Sequence, residues 1–180
     1  MKRISLLVLS LLLFSCKNED KKVDESKEGV AEKVMDTVFT ITLNATVLKD
    51  DSFQVYYRKN DEKTFEEKNS IFTELKGSDK PQDIVFRLPE GVIPDNLRLD
   101  FGTNKEQAEI KINKFKLSYF GKTFETTSGS DFFNYMLVET KTASFDKEKA
   151  TVKPLLVDNS YDPQSTSEKA LYDQLQKIIK

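Results

Sequence analysis

Hydrophobic and polar residues alternate along several short segments of the chain. Residues 39–47 are the clearest case, since every odd position is apolar and every even position is polar. Alternation with period two is typical of a β-strand that buries one face. Further alternating segments occupy residues 53–58, 70–75, 83–88 and 97–101, with turn residues between them. The pattern predicts a series of short strands, of which the first two form a hairpin around residues 49–52.

The strand that follows residue 109 changes phase. Ile110 and Ile112 share one face by parity, whereas Phe115 and Leu117 share the other. One extra residue between Ile112 and Phe115 would return all four side chains to a single face, as a β-bulge does. We therefore predict a bulge there, followed by a turn at residues 121–122.

The C-terminal third gives mixed signals. Residues 143–156 predict one or two more strands. We expect Ser130 or Asp131 to cap a short helix; the alternative is that the aromatic residues after them fill one end of the core. Residues 165–168 have the composition of a capping box that opens a helix. Leu171, Leu175 and Ile178 then form a helical stripe that packs on the domain.

Together these elements predict an all-β fold. Many short alternating strands, separated by turns and followed by one helix, are typical of an antiparallel β-sandwich with a short C-terminal helix. Residues 37–180 are long enough for one domain of ordinary size. Because this segment has no cysteine, it relies on a hydrophobic core, which phenylalanine can supply, since twelve of the thirteen phenylalanines of the chain lie in this segment.

Residues 1–15 have a different character. Lys2 and Arg3 precede an apolar run at residues 4–14, which is too short to span a bilayer and is typical of an export signal. Cys16, the only cysteine, follows this run and resembles the modified cysteine of bacterial lipoproteins. The resemblance implies removal of residues 1–15 and acylation of Cys16 with fatty acids such as palmitate. A secretory signal cut elsewhere, or a buried apolar N-terminus, is the alternative.

The resemblance also implies a location. Lys17 follows the cysteine in place of the aspartate that retains some lipoproteins at the inner membrane, so we expect an outer-membrane lipoprotein of Bacteroidetes type. The lipid on Cys16 would anchor it at the periplasmic face or the cell surface. Residues 16–36 are rich in charge and poor in large apolar groups, so we expect a disordered tether.

Composition restricts the chemistry. The chain has no histidine, which excludes Ser-His-Asp machinery, the commonest general base and nearly all zinc sites. With Cys16 acylated, only paired carboxylates remain for catalysis, and no motif selects two of them. The net charge of −2 and the absence of a basic block argue against a nucleic-acid partner. We therefore expect a protein that is not an enzyme and uses no cofactor.

Residues 97–102 and 109–117 resemble galactose-binding-like jelly rolls, a superfamily with many carbohydrate-binding modules. The shared pattern is an Arg-bearing strand, a turn, and then Ile-x-Ile followed by two alternating apolar positions. The resemblance spans residues 38–120. It implies a jelly-roll sandwich, while members of the superfamily bind glycans, lipids or proteins, or brace neighbouring domains.

Residues at the outward-facing positions of three predicted strands form a candidate glycan site. If their strands are neighbours, an aromatic ring lies beside planar hydrogen-bonding groups, as a sugar requires. The residues are Gln54, Tyr56, Arg58, Arg87, Arg98 and Asp100. The alternative is a solvated sheet face laced with Arg–Asp pairs, in a domain that serves as a structural or protein-interacting subunit of an outer-membrane complex. Asp50 and Asp51 are weak calcium candidates, and turn chemistry explains them as well.

Overall fold

The computed structural model describes residues 37–180, and the predicted signal, Cys16 and the tether to residue 36 lie outside the described residues. The described part contains eleven strands and one α-helix. The strands are β1 (Thr40–Thr46), β2 (Asp51–Arg58), β3 (Ser70–Leu75), β4 (Gln82–Arg87), β5 (Asn96–Asp100), β6 (Ile110–Tyr119), β7 (Lys122–Glu125), β8 (Met136–Val138), β9 (Ala143–Asp146), β10 (Thr151–Pro154) and β11 (Gln164–Ser167). Helix α1 spans Lys169–Ile178, and short 3-10 helices span Glu67–Asn69 and Ser130–Asn134.

The strands form two antiparallel sheets that pack as a sandwich. The six-stranded sheet has the order β4-β1-β6-β10-β9, with β7 also paired to β6. The five-stranded sheet has the order β3-β2-β5-β11-β8. This arrangement confirms the predicted all-β sandwich with one short C-terminal helix.

The predicted hairpin between the first two strands is wrong. β1 pairs with β4 and β6, whereas β2 pairs with β3 and β5 in the other sheet. Both strands turn their apolar faces toward the core, as Leu43 and Phe53 illustrate with no exposed surface. The chain therefore crosses from one sheet to the other between these strands, so that their apolar faces meet in the core.

The predicted bulge in β6 is confirmed. Asn44 of β1 lies opposite Lys114, but the next residue, Ala45, lies opposite Ile112, so Asn113 is the extra residue. As a result Ile112 and Phe115 both point into the core. Aromatic rings continue from there, since Phe132 makes edge-to-face contacts with Phe115 and with Phe101 at centroid distances of 5.6 and 6.2 Å.

The C-terminal segment departs from the predicted capping box. Gln164–Ser167 form strand β11, and helix α1 begins at Lys169 with Glu168 as its N-cap and no side-chain cap. The predicted helical stripe is confirmed, because Leu171, Leu175 and Ile178 are buried against the sandwich. No helix among residues 37–180 has the length and hydrophobicity needed to cross a membrane.

Candidate functional site

Strand register places most of the predicted glycan-site residues on the outer face of the five-stranded sheet. Tyr56 of β2 lies directly opposite Arg98 of β5, and Gln54 lies opposite Asp100. Residues that are directly opposite on antiparallel strands project to the same side, with neighbouring strands about 4.8 Å apart. The glycan-site prediction requires its strands to be neighbours, and β2 and β5 are neighbours.

Arg98 is the centre of this face. Its Nε and Nη2 atoms donate to the two carboxylate oxygens of Asp100, each at 2.7 Å, and Nη2 also donates to Asp162 at 3.0 Å. The guanidinium carbon lies 4.8 Å from the centre of the Tyr56 ring, in cation–π geometry. A planar guanidinium held by two carboxylates and an aromatic ring has a fixed orientation.

Glu67 lies in the loop after β2 and borders this face. Its carboxylate accepts hydrogen bonds from the Tyr56 hydroxyl at 2.6 Å and from the Gln54 amide at 2.9 Å. Gln54 and Tyr56 are only 7% and 9% exposed as a result. The Tyr56 ring is thus covered by Arg98 and fastened at its hydroxyl, which leaves little of it for stacking on a sugar.

The pKa values of the ionisable groups on this face are shifted in different directions. Burial raises the pKa of Asp100 to about 6, and the two hydrogen bonds from Arg98 oppose that rise. Burial, together with the hydrogen bond to Glu67, raises the pKa of Tyr56 to about 12. The same hydrogen bond from Tyr56 lowers the pKa of Glu67. The face therefore carries fixed charges at neutral pH, and Asp100 is the member that titrates closest to neutrality.

The other two predicted residues are not part of this network. Arg58 lies at the end of β2 and turns away, since its Nη1 donates to the carbonyl oxygens of Lys59 and Glu62 and its guanidinium covers the Phe65 ring. The expectation that Arg87 shares the face is wrong, because β4 pairs with β1 in the six-stranded sheet. Outward parity alone does not tell which of two sheets a strand joins.

Two members of the face were not predicted from the sequence. Phe72 of β3 lies opposite Gln54, on the same side, and 52% of its surface is exposed. Gln164 of β11 lies opposite Asp100 and donates to Asp162 at 2.8 Å. Phe72 is therefore the exposed aromatic ring beside planar polar groups that the sequence assigned to Tyr56.

The weak calcium candidates have other partners. Asp50 accepts hydrogen bonds from the Lys76 ammonium at 2.6 Å and from the Gly77 amide at 2.8 Å. Asp51 is 7% exposed and accepts from the backbone amides of Thr103 and Asn104 at 2.7 and 3.0 Å. Residues 37–180 contain no group of three or more histidine, cysteine, aspartate or glutamate side chains arranged to hold a metal ion. Within the described part of the chain, turn and loop chemistry accounts for both carboxylates.

The arrangement on the five-stranded sheet suits recognition better than proton transfer. Asp100 is engaged by Arg98 at both oxygens, and both oxygens of Glu67 accept hydrogen bonds from Tyr56 and Gln54. A general acid or base needs a free oxygen within reach of the reacting group. The planar groups of Arg98 and Gln164, in contrast, remain partly exposed on the same face as the Phe72 ring, two and three strands away from it.

Comparison with known proteins adds no relative. A scan against protein-family models, a search of curated proteins and a search of solved structures each find no match to this chain.

Proposed function

We propose that the protein is a membrane-anchored, non-catalytic envelope lipoprotein whose β-sandwich binds glycans on the outer face of the five-stranded sheet. We call this the Phe72 face, and it consists of Phe72, Gln54, Asp100, Gln164, Tyr56 and Arg98. The observation that carries the proposal is the exposed Phe72 ring in one row with Gln54, Asp100 and Gln164. Sugar rings stack their C–H groups on such a ring and direct their hydroxyls to planar polar groups.

The rigidity of the network supports the same proposal. Arg98, Asp100 and Asp162 hold one another by hydrogen bonds of 2.7 to 3.0 Å, so few side chains lose freedom when a ligand binds. The resemblance of residues 97–102 and 109–117 to galactose-binding-like jelly rolls favours a glycan among the polar ligands. The absence of histidine from the sequence supports a binding role rather than catalysis.

Affinity electrophoresis of the full chain through gels that contain individual polysaccharides tests the binding face. F72A should weaken retention roughly tenfold, because the loss of one stacked ring costs about 1–1.5 kcal/mol. F120A is the matched control, since Phe120 is also an exposed ring (47%) but lies in the turn after β6 of the other sheet. Retention that is equal for F72A and the wild type, or that falls equally in both variants, would refute this site.

The anchor is tested separately. Cys16 should take up an alkyne-tagged palmitate in the native host and place the protein in the outer-membrane fraction, because several acyl chains give durable membrane binding. C16S should lose both the label and the membrane association. A wild-type protein that stays unlabelled and soluble would refute lipidation, whatever the outcome of the glycan experiments.

A protein partner is the second candidate, and one observation favours it. Leu137 on edge strand β8 is 57% exposed and shares the outer face with the Arg98 network, at the opposite edge from Phe72. Apolar side chains at both edges of a polar centre also suit a protein interface. Crosslinking and co-purification from the native host would distinguish the two, because a protein partner should be lost in both F72A and L137A.

A further inference from the structure

A second polar groove crosses the outer face of the other, six-stranded sheet, beside the bulge in β6. We call it the bulge groove. Its volume is about 460 Å³, within the range of roughly 300–1,000 Å³ that is typical of small-molecule sites. All of its lining residues are polar, namely Thr42, Asn44, Asp83, Asn113, Lys114, Lys116 and Glu125. The groove therefore suits a hydrophilic ligand better than an acyl chain or an apolar peptide side chain.

The bulge is what gives this groove its unusual donor. Asn113 is the extra residue of β6, with Lys114 and Ile112 taking the places opposite β1. Its Nδ2 atom is buried and has no hydrogen-bond partner. A buried N–H group without an acceptor costs about 1–3 kcal/mol, and bulges commonly redirect a side chain toward a functional site. The amide therefore lacks an oxygen atom that a ligand could supply.

Two charged groups in the groove also have unused capacity. Lys114 pairs with Glu125 at 2.7 Å, and Asn44 donates to one oxygen of Asp83 at 2.6 Å. Among the described residues, the second oxygen of Asp83 accepts no hydrogen bond and the Lys116 ammonium donates none, although Lys116 lies opposite Glu125 and its charge lowers the pKa of that carboxyl. The groove thus has one cation that makes no hydrogen bond, one amide donor without an acceptor, and one carboxylate oxygen without a donor.

From these three groups we infer that the bulge groove binds a carboxylated sugar, namely a hexuronate unit of an acidic glycan. Its carboxylate would pair with Lys116, a ring or hydroxyl oxygen would accept from Asn113 Nδ2, and a hydroxyl would donate to Asp83. An ion that only accepts hydrogen bonds, such as sulfate, leaves Asp83 without a donor and brings two negative charges beside it, whereas the sugar acid brings one. A sugar acid carries donors and acceptors on one small ring, so it satisfies all three groups.

Calorimetry on the purified full chain tests the site with a galacturonate trimer and the matching neutral galactose trimer. The acidic trimer should bind, and the neutral trimer should bind at least tenfold more weakly, because a hydrogen-bonded charge is worth about 1.5–3 kcal/mol. K116Q should weaken the acidic trimer about tenfold. K111Q is the matched control, since Lys111 carries the same charge on the same strand but does not line the groove.

N113A supplies the second variant. It removes a buried donor that has no partner, so the unfolding midpoint should not fall while affinity for the acidic trimer does. Equal affinity in N113A, K116Q and the wild type, or no preference for the acidic over the neutral trimer, would overturn the inference. So would binding of a poly-glutamate peptide as tightly as the trimer. F72A should leave this affinity unchanged, so failure here and failure of the Phe72 face are distinguishable.

Discussion

Asp51 is the carboxylate on which the loop after β5 depends, and its removal tests how the sandwich is held at that end. The side chain lies at the start of β2 and is 7% exposed. One oxygen accepts from the amides of Ser52, Thr103 and Asn104 at 2.7 to 3.0 Å, and the other accepts from the Gln107 side chain at 2.8 Å. D51A therefore removes the acceptor of four donors at once.

The expected cost follows from burial rather than from charge alone. A buried donor that loses its acceptor costs about 1–3 kcal/mol, and water that enters the vacated space recovers part of that for the outermost groups. We expect D51A to lower the free energy of unfolding by about 3–5 kcal/mol, because four donors lose one shared acceptor and only the outermost regain water. For a domain of this size the melting temperature should fall by roughly 10 °C.

Urea unfolding followed by far-ultraviolet circular dichroism gives the comparison, with D50A as the matched control. Asp50 is the preceding residue and also accepts from an ammonium and a backbone amide, but 62% of its side chain is exposed. Groups that lose a partner at an exposed site return to water, so D50A should change stability little. A loss below about 1 kcal/mol in D51A, or an equal loss in D50A, would refute the reasoning.

Three further predictions concern other parts of the fold. Because burial raises the pKa of Asp100 from 3.8 to about 6, the folded state binds its proton more tightly than the unfolded state, so stability should rise by about 1.5 kcal/mol as pH falls from 6 to 4.5. Urea titrations at both pH values should show this rise in the wild type and not in D100N. L175A should cost about 2–5 kcal/mol in chemical denaturation, since Leu175 of α1 is fully buried, whereas exposed K177A should cost almost nothing. G102A should cost at least about 2 kcal/mol in thermal unfolding, because Gly102 has φ +97° and an added Cβ would lie 2.4 Å from the Asp51 carboxylate.

Strict alternation predicted individual strands well. Residues 39–47 predicted β1, which spans Thr40–Thr46, and the phase change before Phe115 located the bulge at Asn113. Both succeed because a half-buried strand exposes alternate side chains regardless of what it pairs with. Pairing itself was not predictable in this way, since β1 and β2 have the same alternation whether they form a hairpin or face each other across the core.

Short strands escaped prediction for a different reason. β8 has three residues and β11 has four, which is too few to establish a period of two. In β11, Ser165 and Ser167 also have the composition of a helix cap, yet Ser165 is fully buried and the Ser167 hydroxyl accepts a hydrogen bond from the Leu97 backbone amide of β5 at 2.9 Å. Pairing with the otherwise open edge of β5 therefore stabilises a strand at these residues, and the helix cap does not form.

Only part of the membership of the candidate site was predictable, and the exposure of its residues was not. Parity correctly placed Gln54, Tyr56, Arg98 and Asp100 on one face. The covering of Tyr56 depends on Glu67, which a loop returns to the sheet from eleven residues away, and no periodic signal describes such a loop. Conversely Phe72 was missed because Ile71 precedes it, and two adjacent apolar residues leave the outward one undetermined.

The two outer faces differ in how completely their polar groups are satisfied, and this difference ranks them as binding surfaces. On the Phe72 face, Arg98 and Asp100 already satisfy each other, so a ligand gains from the exposed ring and must compete for the polar groups. In the bulge groove, Asn113 Nδ2 has no partner, so a ligand oxygen there forms a hydrogen bond without breaking one.

Binding at the Phe72 face should therefore depend on the ring more than on charge, and its affinity should change little with salt. Binding at the bulge groove should depend on Lys116 and weaken as salt screens that charge. A salt titration of the wild type with neutral and acidic trimers separates the two, and equal salt dependence for both sugars would contradict the assignment.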